Sequence, residues 1–432
     1  MGFTISEKIL ARASGREEVR PGEVVVAKVD FAMVTDSSGP RRFRDDLRSL
    51  GVGVWDPDRL AVIADHFVPA GDAAEAEIGR ITREWVREYG VSRFHSLEGI
   101  CHILVPERGY VHPGMLYVGG DSHSPTAGAL GAFAVGVGAT EMLGVIVTGE
   151  IWLRVPSTIR VVWHGQLPPY AMAKDIVLRT LKDLTVSGAT YKAVEWDGEA
   201  VHALRMDERL VLPNMAAEMG AKTGIIAPDE ITYRYLEQRG VPRDSYTPVF
   251  SDPDATYERE LTYDATSLEP LVALPSSPDK VVTAREAQGE RIDQAYIGAC
   301  TGAKYHDLAM AAAMLSGRRV APAVRLLVAP SSRRIYLQAL QDGIVETLAE
   351  AGAIFLPSAC GACAGLGLGV VGSGERCISS TNRNFPGRMG ARDAEVFLAS
   401  PLTVAAAAIA GEIVDPRDLL PDGFIVPEEV TV

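Results

Sequence analysis

The sequence predicts an α/β fold in which strands and helices form layered domains. Short runs rich in Val, Ile and Leu recur along the chain, as is typical of strands buried in parallel sheets. Between them lie stretches whose apolar residues repeat at the period of a helix, about 3.6 residues, and which end in Gly. The 432 residues, 47% of them hydrophobic, suffice for two or three domains, each with its own core. The alternation of strands and helices along the chain favours domains in which helices are layered on a sheet.

The elements follow each other along the chain in that alternation. The segments that predict strands are, in order, EVVVAKVDFAMV, LAVIADHFV, GMLYVGG, STIRVVW, QAYIGAC, VRLLVAP and AIFLP. The segments that predict helices are AAEAEIGRITREWVREYG, AKDIVLRTLKDL, KYHDLAMAAAML and SRRIYLQALQDGIVETLAEAG. The Pro- and Ser-rich stretch Ser267–Lys280 predicts a linker, and a weaker boundary lies near WLRVPS. We therefore divide the chain into domains 1–155, 156–268 and 269–432.

Composition and charge exclude several classes of protein. A net charge of −14 opposes binding to nucleic acid, which requires a basic face. The N-terminus has no unbroken apolar signal core, and five cysteines are an odd and small number, so we expect a cytoplasmic protein with reduced thiols. The most apolar stretch, Ala127–Trp152, is interrupted by Glu141 and rich in Gly, which argues against a membrane span. A soluble enzyme is the interpretation that remains.

Reactive side chains follow the ends of several predicted strands. Asp65 and His66 follow LAVIA, Asp121-Ser122-His123 follows GMLYVGG, and Cys300 follows QAYIGA. The carboxyl ends of strands in open α/β sheets are where ligands bind. Packing alone does not explain this placement, so these residues are candidates for a functional site.

Three cysteines form the strongest metal-binding pattern. Cys360 and Cys363 are a C-x2-C pair, and Cys300 precedes them by 60 residues. Three thiolates on a [4Fe–4S] cluster would leave one iron open as a Lewis acid. A dithiol redox pair, or a zinc site completed by Cys101 or His102, explains the C-x2-C pair equally well. We interpret Cys377 and Cys101 as small buried apolar residues.

The placement of histidine and arginine suggests acid–base chemistry and anion binding. His66, His102 and His123 follow apolar or Gly-rich segments, and an aspartate close to two of them would raise the imidazole pKa and orient the ring. Glu195 is a further carboxylate that a histidine could pair with. Arg383 and Arg388 lie in the irregular stretch TNRNFPGRMG, where two guanidinium groups could clamp a dicarboxylate. We give the other histidines structural roles: His95, His112, His164, His202 and His306.

Together, these motifs resemble the aconitase superfamily over almost the whole chain. The segments that carry the resemblance are DHFVP, GICHILVPERGYVHPG, GGDSHSPTAGALGAFAVGVGATEM, GATYKAVEWDG, NMAAEMGAKTGIIAPDE, IGACTGAKYHDL, ACGACAGLG and GERCISSTNRNFPGRMG. The resemblance implies three α/β/α domains around a central [4Fe–4S] cluster. It also implies the isomerisation of a hydroxy di- or tricarboxylate, such as an isopropylmalate, by dehydration and rehydration.

The resemblance also implies roles for individual residues. Cys300, Cys360 and Cys363 match the cluster ligands, with the fourth iron open to substrate. Asp65 with His66 matches the pair that protonates the departing hydroxyl, and His102 with Glu195 matches a second histidine–carboxylate pair. Asp121 and His123 match further catalytic residues. The residues that match substrate binders are Asp36, Ser122, Asn382, Arg383 and Arg388.

The family pattern implies a partner, and this chain departs from the pattern at three positions. A swivel domain with further catalytic groups is missing from the sequence, so we expect a separate small subunit to carry it and this chain to be inactive alone. Thr35, Gly302 and Pro213 replace residues that are usual near the site. These changes leave open which substituted malate is the substrate, with homocitrate or methylmalate as alternatives. A non-catalytic relative that binds or regulates is the alternative of another class.

Overall fold

The computed structural model describes residues 2–421 and 424–427, and they form two compact units. The first unit comprises the chain up to Ser96, Cys101–His164 and Ser187–Tyr263. The second comprises Leu97–Ile100, Gly165–Val186 and the chain from Asp264 onward. The division into domains 1–155, 156–268 and 269–432 stays a prediction.

Helices and strands alternate along most of the chain. The helices are Ile5–Ser14 (α1), Pro40–Leu50 (α2), Ala73–Glu88 (α3), Cys101–Glu107 (α4), Ala139–Thr148 (α5), Ala173–Leu184 (α6), Glu199–Ala203 (α7), Met206–Arg209 (α8), Val211–Met215 (α9), Glu230–Glu237 (α10), Tyr305–Leu315 (α11), Arg333–Gln341 (α12), Ile344–Ala351 (α13) and Pro401–Ala410 (α14). The strands are Val24–Lys28 (β1), Phe31–Thr35 (β2), Leu60–Ala64 (β3), Arg93–Ser96 (β4), Leu116–Gly119 (β5), Phe133–Gly136 (β6), Glu150–Arg154 (β7), Thr158–His164 (β8), Ala193–Asp197 (β9), Thr223–Ile226 (β10), Arg259–Asp264 (β11), Leu271–Ala273 (β12), Val281–Thr283 (β13), Gln294–Ile297 (β14), Arg325–Val328 (β15), Ile354–Phe355 (β16), Arg376–Ser379 (β17) and Glu395–Ala399 (β18).

The first unit contains a five-stranded parallel sheet in the order β4-β3-β2-β5-β6. Its residues alternate between two apolar clusters: Val34 and Val62 belong to one, while Met33 and Ile63 belong to the other. Both faces are therefore buried, as expected for a parallel sheet covered on each side. A four-stranded sheet, β10-β9-β8-β11, and a two-stranded antiparallel ladder of β1 and β7 complete the unit.

The second unit contains a seven-stranded mixed sheet in the order β13-β12-β18-β17-β14-β15-β16. The strands from β18 to β16 run parallel to each other, whereas β12 pairs antiparallel with both neighbours. The loops that follow β14 and β17 therefore leave the same edge of the sheet from adjacent strands. The predicted α/β alternation is confirmed in both units.

Several local predictions needed correction. The segment EVVVAKVDFAMV forms two strands, β1 and β2, rather than one. The long helix predicted near the residues 332–352 is broken by Gly343, whose φ of 73° favours glycine. The linker predicted over 267–280 contains β12, which is buried and joins the seven-stranded sheet. Its prolines flank the strand, which is why proline content alone indicated a linker.

Where the structure describes the chain, its helices are either too short or too polar to reach across a lipid bilayer.

Candidate functional site

The candidate acid–base residues of the first unit gather at one edge of the five-stranded sheet. Asp36 follows β2, Asp65 and His66 follow β3, and Asp121 comes two residues after β5. These three strands are neighbours and run parallel. Their carboxyl ends therefore bring side chains together that are far apart in the sequence, as the strand-end pattern predicted.

Asp36 holds the loop that carries His66. Its carboxylate accepts hydrogen bonds from the backbone N–H groups of His66 at 3.1 Å and Phe67 at 2.9 Å. Burial and the charge of Asp65 raise the pKa of Asp36, although the hydrogen bonds oppose that shift. These hydrogen bonds fix the backbone of the loop that carries His66.

His66 is nearly buried between two carboxylates. Its Nδ1 lies 2.7 Å from Asp65 Oδ1, and its Nε2 lies 3.6 Å from Asp121 Oδ2. The second oxygen of Asp65 accepts the backbone N–H of Cys101 at 2.7 Å, which fixes the carboxylate. Burial opposes the charged imidazolium, but the charges and hydrogen bonds of the two aspartates outweigh it and raise the His66 pKa well above its usual value. The two aspartates therefore favour the imidazolium form of His66, which can give up a proton.

Asp121, rather than Glu195, is the partner of His102. His102 Nε2 lies 2.7 Å from Asp121 Oδ1, and the buried Nδ1 of the same ring has no hydrogen-bond partner. Burial alone would raise the Asp121 pKa, but the charge and hydrogen bonds of the neighbouring histidines lower it well below its usual range. Asp121 is therefore the anion that links the His66 and His102 rings.

The predicted pairing of His102 with Glu195 is wrong, because each side chain has other hydrogen-bond partners. Glu195 is the central residue of β9, whereas His102 is the second residue of α4. The Glu195 carboxylate accepts hydrogen bonds from Ser251 Oγ at 2.8 Å and Tyr257 Oη at 3.1 Å. Burial raises the pKa of Glu195, so it is a weaker acid than an exposed glutamate.

His123 has a carboxylate partner that sequence reasoning missed. Its Nε2 lies 2.9 Å from Glu218 Oε1, and the Glu218 side chain is completely buried. Glu218 lies in a short 3₁₀ turn, Ala216–Met219, within the otherwise apolar NMAAEMG. A single acidic residue in such a segment is the signal that would have identified it, because a buried charge needs a partner. Ser122 is exposed, and with Asp121 it borders a cavity of about 500 Å³.

The three candidate ligand cysteines lie in the second unit. Cys360 immediately precedes a 3₁₀ turn, Gly361–Ala364, and Cys363 lies within it; side chains three residues apart in such a turn project on the same face. The Asn382 side chain lies between the sulfurs of Cys300 and Cys363. Its Oδ1 is 3.3 Å from Cys363 Sγ, and its Nδ2 donates to Cys300 Sγ at 3.4 Å. Cys300 and Asn382 meet because they follow the adjacent parallel strands β14 and β17. One amide group is thus in contact with two of the three thiols.

Cys377 and Cys101 have the apolar surroundings expected for them. Cys377 lies on β17 and is fully buried, which raises the pKa of its thiol to about 12. Cys101 belongs to an apolar cluster beneath the five-stranded sheet. Neither thiol is set up to act as a thiolate ligand.

The structure explains one of the three departures from the family pattern, Gly302. A Cβ atom on Gly302 would lie 2.1 Å from Ser380 Oγ, so the turn after Cys300 approaches the loop after β17 too closely for any side chain. Thr35 ends β2, and its hydroxyl lies 2.9 Å from that of Ser37. Pro213 is buried in α9, and nothing in the structure explains why it stands there.

Arg383 and Arg388 are half-buried in the loop that follows β17.

Comparison with known proteins gives one consistent family. A family model described as the aconitase family (aconitate hydratase) matches residues 7–291 and 283–411. The chain is 50% identical over 422 residues to 3-isopropylmalate dehydratase large subunit 1 of Methanopyrus kandleri, covering 97% of this chain and 100% of that protein. It is 46% identical to the 3-isopropylmalate dehydratase large subunit of Aquifex aeolicus, covering 97% and 98%.

A solved structure agrees on the fold. The holo form of aconitase X from Thermococcus kodakaraensis superposes with a TM-score of 0.50 at 15% identity, covering 85% of this chain and 88% of that one. The α/β fold that the resemblance implied is thereby confirmed. Proteins of the aconitase family bind a [4Fe–4S] cluster, and this chain has cysteines for one. From the matched family model and the relatives that are similar over nearly their full length, the chain belongs to the aconitase family.

Proposed function

We propose that this chain is the large subunit of a hydro-lyase that converts 2-isopropylmalate to 3-isopropylmalate. The observation that carries the proposal is identity of 44–50% with several 3-isopropylmalate dehydratase large subunits over 97% of the chain. In this reaction a proton leaves one carbon and hydroxide leaves its neighbour, after which water adds in the opposite sense. The carbons exchange hydrogen and hydroxyl, and the substrate undergoes no net oxidation.

His66 is the proposed general acid. Asp65 holds its Nδ1, so the proton to be transferred is the one on Nε2. That proton leaves with the hydroxyl group as water, and the neutral ring takes a proton back from water when the double bond is hydrated. Asp65 and Asp121 stabilise the imidazolium that donates this proton during dehydration, and this supports the role of His66 as the acid.

The remaining candidate residues of the first unit orient the acid or bind the substrate. Asp121 fixes His102 and, through its second oxygen, faces His66. His123 is held by Glu218, which fixes its ring for a hydrogen bond to a carboxylate of the substrate. Ser122 is the exposed polar group of the same loop. Glu195 is proposed as a residue that acts through the hydroxyls of Ser251 and Tyr257.

Cys300, Cys360 and Cys363 are the proposed ligands of a [4Fe–4S] cluster. Three thiols on two loops, two of them on one face of a 3₁₀ turn, are the soft donor set that an iron–sulfur cluster takes. A cluster held by three thiolates supplies a Lewis-acidic iron for the hydroxyl and a carboxylate of the substrate. Asn382, between the Cys300 and Cys363 sulfurs, orients these ligands. Arg383 and Arg388 are proposed to bind the second carboxylate.

A cysteine substitution tests the ligand set. Cys360→Ser removes a soft donor, so protein purified without oxygen should hold less than about a tenth of the wild-type iron and sulfide. Cys377→Ser is the matched control and should keep its iron, because the Cys377 thiol has a pKa of about 12 and lies on a buried strand. Metal analysis and the visible absorption spectrum measure the outcome. Equal iron in the two variants, or zinc in place of iron, would refute the ligand assignment.

The partner is proposed to be a small subunit that carries a swivel domain. The relatives are named large subunits, and the resemblance assigns a further base and arginine to that domain. We expect the isolated chain, loaded with iron and sulfide, to turn over less than about 1% as fast as the mixture with its small subunit. The assay follows 2-isopropylmalate, citrate and homocitrate in parallel. Full activity of the isolated chain, or a preference for another acid, would contradict the partner or the substrate respectively.

A further inference from the structure

A buried lysine in the second unit joins the two loops that carry the candidate cluster residues. Lys174 is the second residue of α6 and is 1% exposed. Its Nζ donates hydrogen bonds to the carbonyl oxygens of Ser380 at 3.0 Å and Thr381 at 2.5 Å, and to Thr301 Oγ1 at 3.3 Å. The three acceptors are neutral oxygens, and each belongs to a residue that is itself buried.

The two loops are the ones that present Cys300 and Asn382. Thr301 is next to Cys300 in the chain, and Thr381 is next to Asn382. Thr301 Oγ1 also donates to the Ser380 carbonyl at 2.9 Å, so the two loops are tied directly as well as through the ammonium group. The absence of a side chain on Gly302 allows this approach, since a Cβ there would meet Ser380 at 2.2 Å. Lys174 therefore holds the Cys300 thiol against the Asn382 amide.

A buried ammonium group is costly unless its hydrogen bonds are satisfied, and a Met of similar length would fill the same space without that cost. In most loops, the carbonyl oxygens that follow a strand accept hydrogen bonds from water or from other protein donors, so a buried lysine is not needed to satisfy them. A cation that binds two carbonyls of the Asn382 loop and a hydroxyl of the Cys300 loop instead limits how far the loops can separate. Its position is thus better explained by a requirement for fixed loop geometry than by stability alone.

We propose that Lys174 is a positioning residue for the iron–sulfur site, which acts by fixing the distance between the Cys300 loop and the Asn382 loop. The inference rests on the proposed cluster ligands of this chain. It assigns Lys174 no contact with substrate or iron. Replacing a residue that orients metal ligands without binding the metal itself typically changes metal affinity by about 10–100-fold.

The test compares how firmly variants hold their iron. Lys174→Met removes the charge and the three hydrogen bonds, and we expect its iron to be lost to excess EDTA at least about 10-fold faster than from wild type. After one-electron reduction with dithionite, which makes the cluster paramagnetic, its electron paramagnetic resonance spectrum should also be broadened, because the ligands take up a range of positions. Thr301→Val removes the hydrogen bond that the Thr301 hydroxyl accepts from Lys174 and the one that it donates to the Ser380 carbonyl. This variant should lose its iron several-fold faster than wild type. It gives a readout even if Lys174→Met fails to fold.

Ile176→Ala is the matched control for destabilisation. Ile176 lies on α6, is fully buried, and its side chain carries neither a charge nor a hydrogen-bonding group; residues two apart on a helix do not share a face with each other. We expect the cavity to lower the unfolding temperature while the protein keeps the wild-type rate of iron loss and the wild-type spectrum. If Ile176→Ala releases iron as fast as Lys174→Met at equal stability, or if Lys174→Met and Thr301→Val retain iron like wild type, Lys174 is not a positioning residue. Wild-type protein that takes up no cluster at all would instead overturn the proposed function and this inference together.

Discussion

Replacing His66 by Asn is expected to lower the turnover number of the assembled enzyme by about 100-fold to 10,000-fold, the range for loss of a positioned general acid. The Asn amide can still donate to Asp65 in place of Nδ1, which lies 2.7 Å from that carboxylate. It has no proton to give at the position of Nε2. The loop and the substrate site should therefore persist, and KM should change by less than about 10-fold.

A surface histidine provides the control for this substitution. His164 forms a similar pair, with its Nδ1 2.8 Å from Glu199 Oε2, but both side chains are more than half exposed. His164→Asn should leave kcat and KM unchanged. Steady-state kinetics of both variants, assembled with the small subunit and with equal iron content, decide the matter. Turnover of His66→Asn within about 10-fold of wild type would exclude His66 as the acid.

The pH dependence of the wild-type enzyme provides a second measurement on His66. Its folded-state pKa lies well above the ordinary value, so the imidazolium is lost only as pH rises through that higher pKa. Dehydration, which uses the charged ring, should fall on the alkaline side. Hydration of the unsaturated intermediate uses the neutral ring and should rise over the same interval. The stability that the charged ring contributes is complete below the unfolded-state pKa, about 6.5, and declines over the same alkaline range.

The sequence predicted the location of the candidate site better than its internal pairing. The sequence predicted that His66 and Asp121 follow strand ends, and both lie at one edge of a sheet because β3 and β5 are parallel neighbours of β2. Asp36, which the strand-end pattern did not include, follows β2 at the same edge. Which carboxylate serves which histidine depends on how the loops and α4 approach each other. The sequence does not contain that information in any local pattern, so Glu195 was assigned to His102 and Glu218 was overlooked.

Local patterns also failed where tertiary contacts override them. The three prolines near β12 suggested a linker, yet that strand has two antiparallel partners and is buried by them. From the sequence, Gly302 was only a departure from the family pattern beside a candidate cluster ligand. In the fold it is the one residue type that permits Ser380 to approach, a contact between residues 78 positions apart. The motifs identified the family, whereas such contacts required the structure.

Asp121→Asn is expected to have the second largest effect, because one carboxylate serves three histidines. Asp121 Oδ1 accepts from His102 Nε2 at 2.7 Å and from the backbone N–H of His123 at 3.0 Å, while Oδ2 faces His66. Asn keeps the size of the side chain but removes the negative charge. His66 then loses one of the groups that raise its pKa, so the alkaline limit of dehydration should move to lower pH. Turnover should fall about 100-fold, since both the acid and His102 lose their orientation.

The same substitution makes a separate prediction about stability that does not depend on catalysis. Loss of hydrogen bonds to a charged, largely buried group should lower the free energy of unfolding by about 1.5–3 kcal/mol at pH 7. The pKa of Asp121 is well below the unfolded value, so this contribution is present above that value, near 3.8, and is lost as pH falls further. The deficit of Asp121→Asn should therefore shrink in acid. Asp197→Asn is the control for catalysis, since Asp197 also bonds a histidine, His202 at 2.9 Å, but lies at the end of β9, where it also pairs with Arg160. It should leave the pH profile of turnover unchanged, and a shift of that profile in Asp197→Asn but not in Asp121→Asn would contradict the assignment of Asp121.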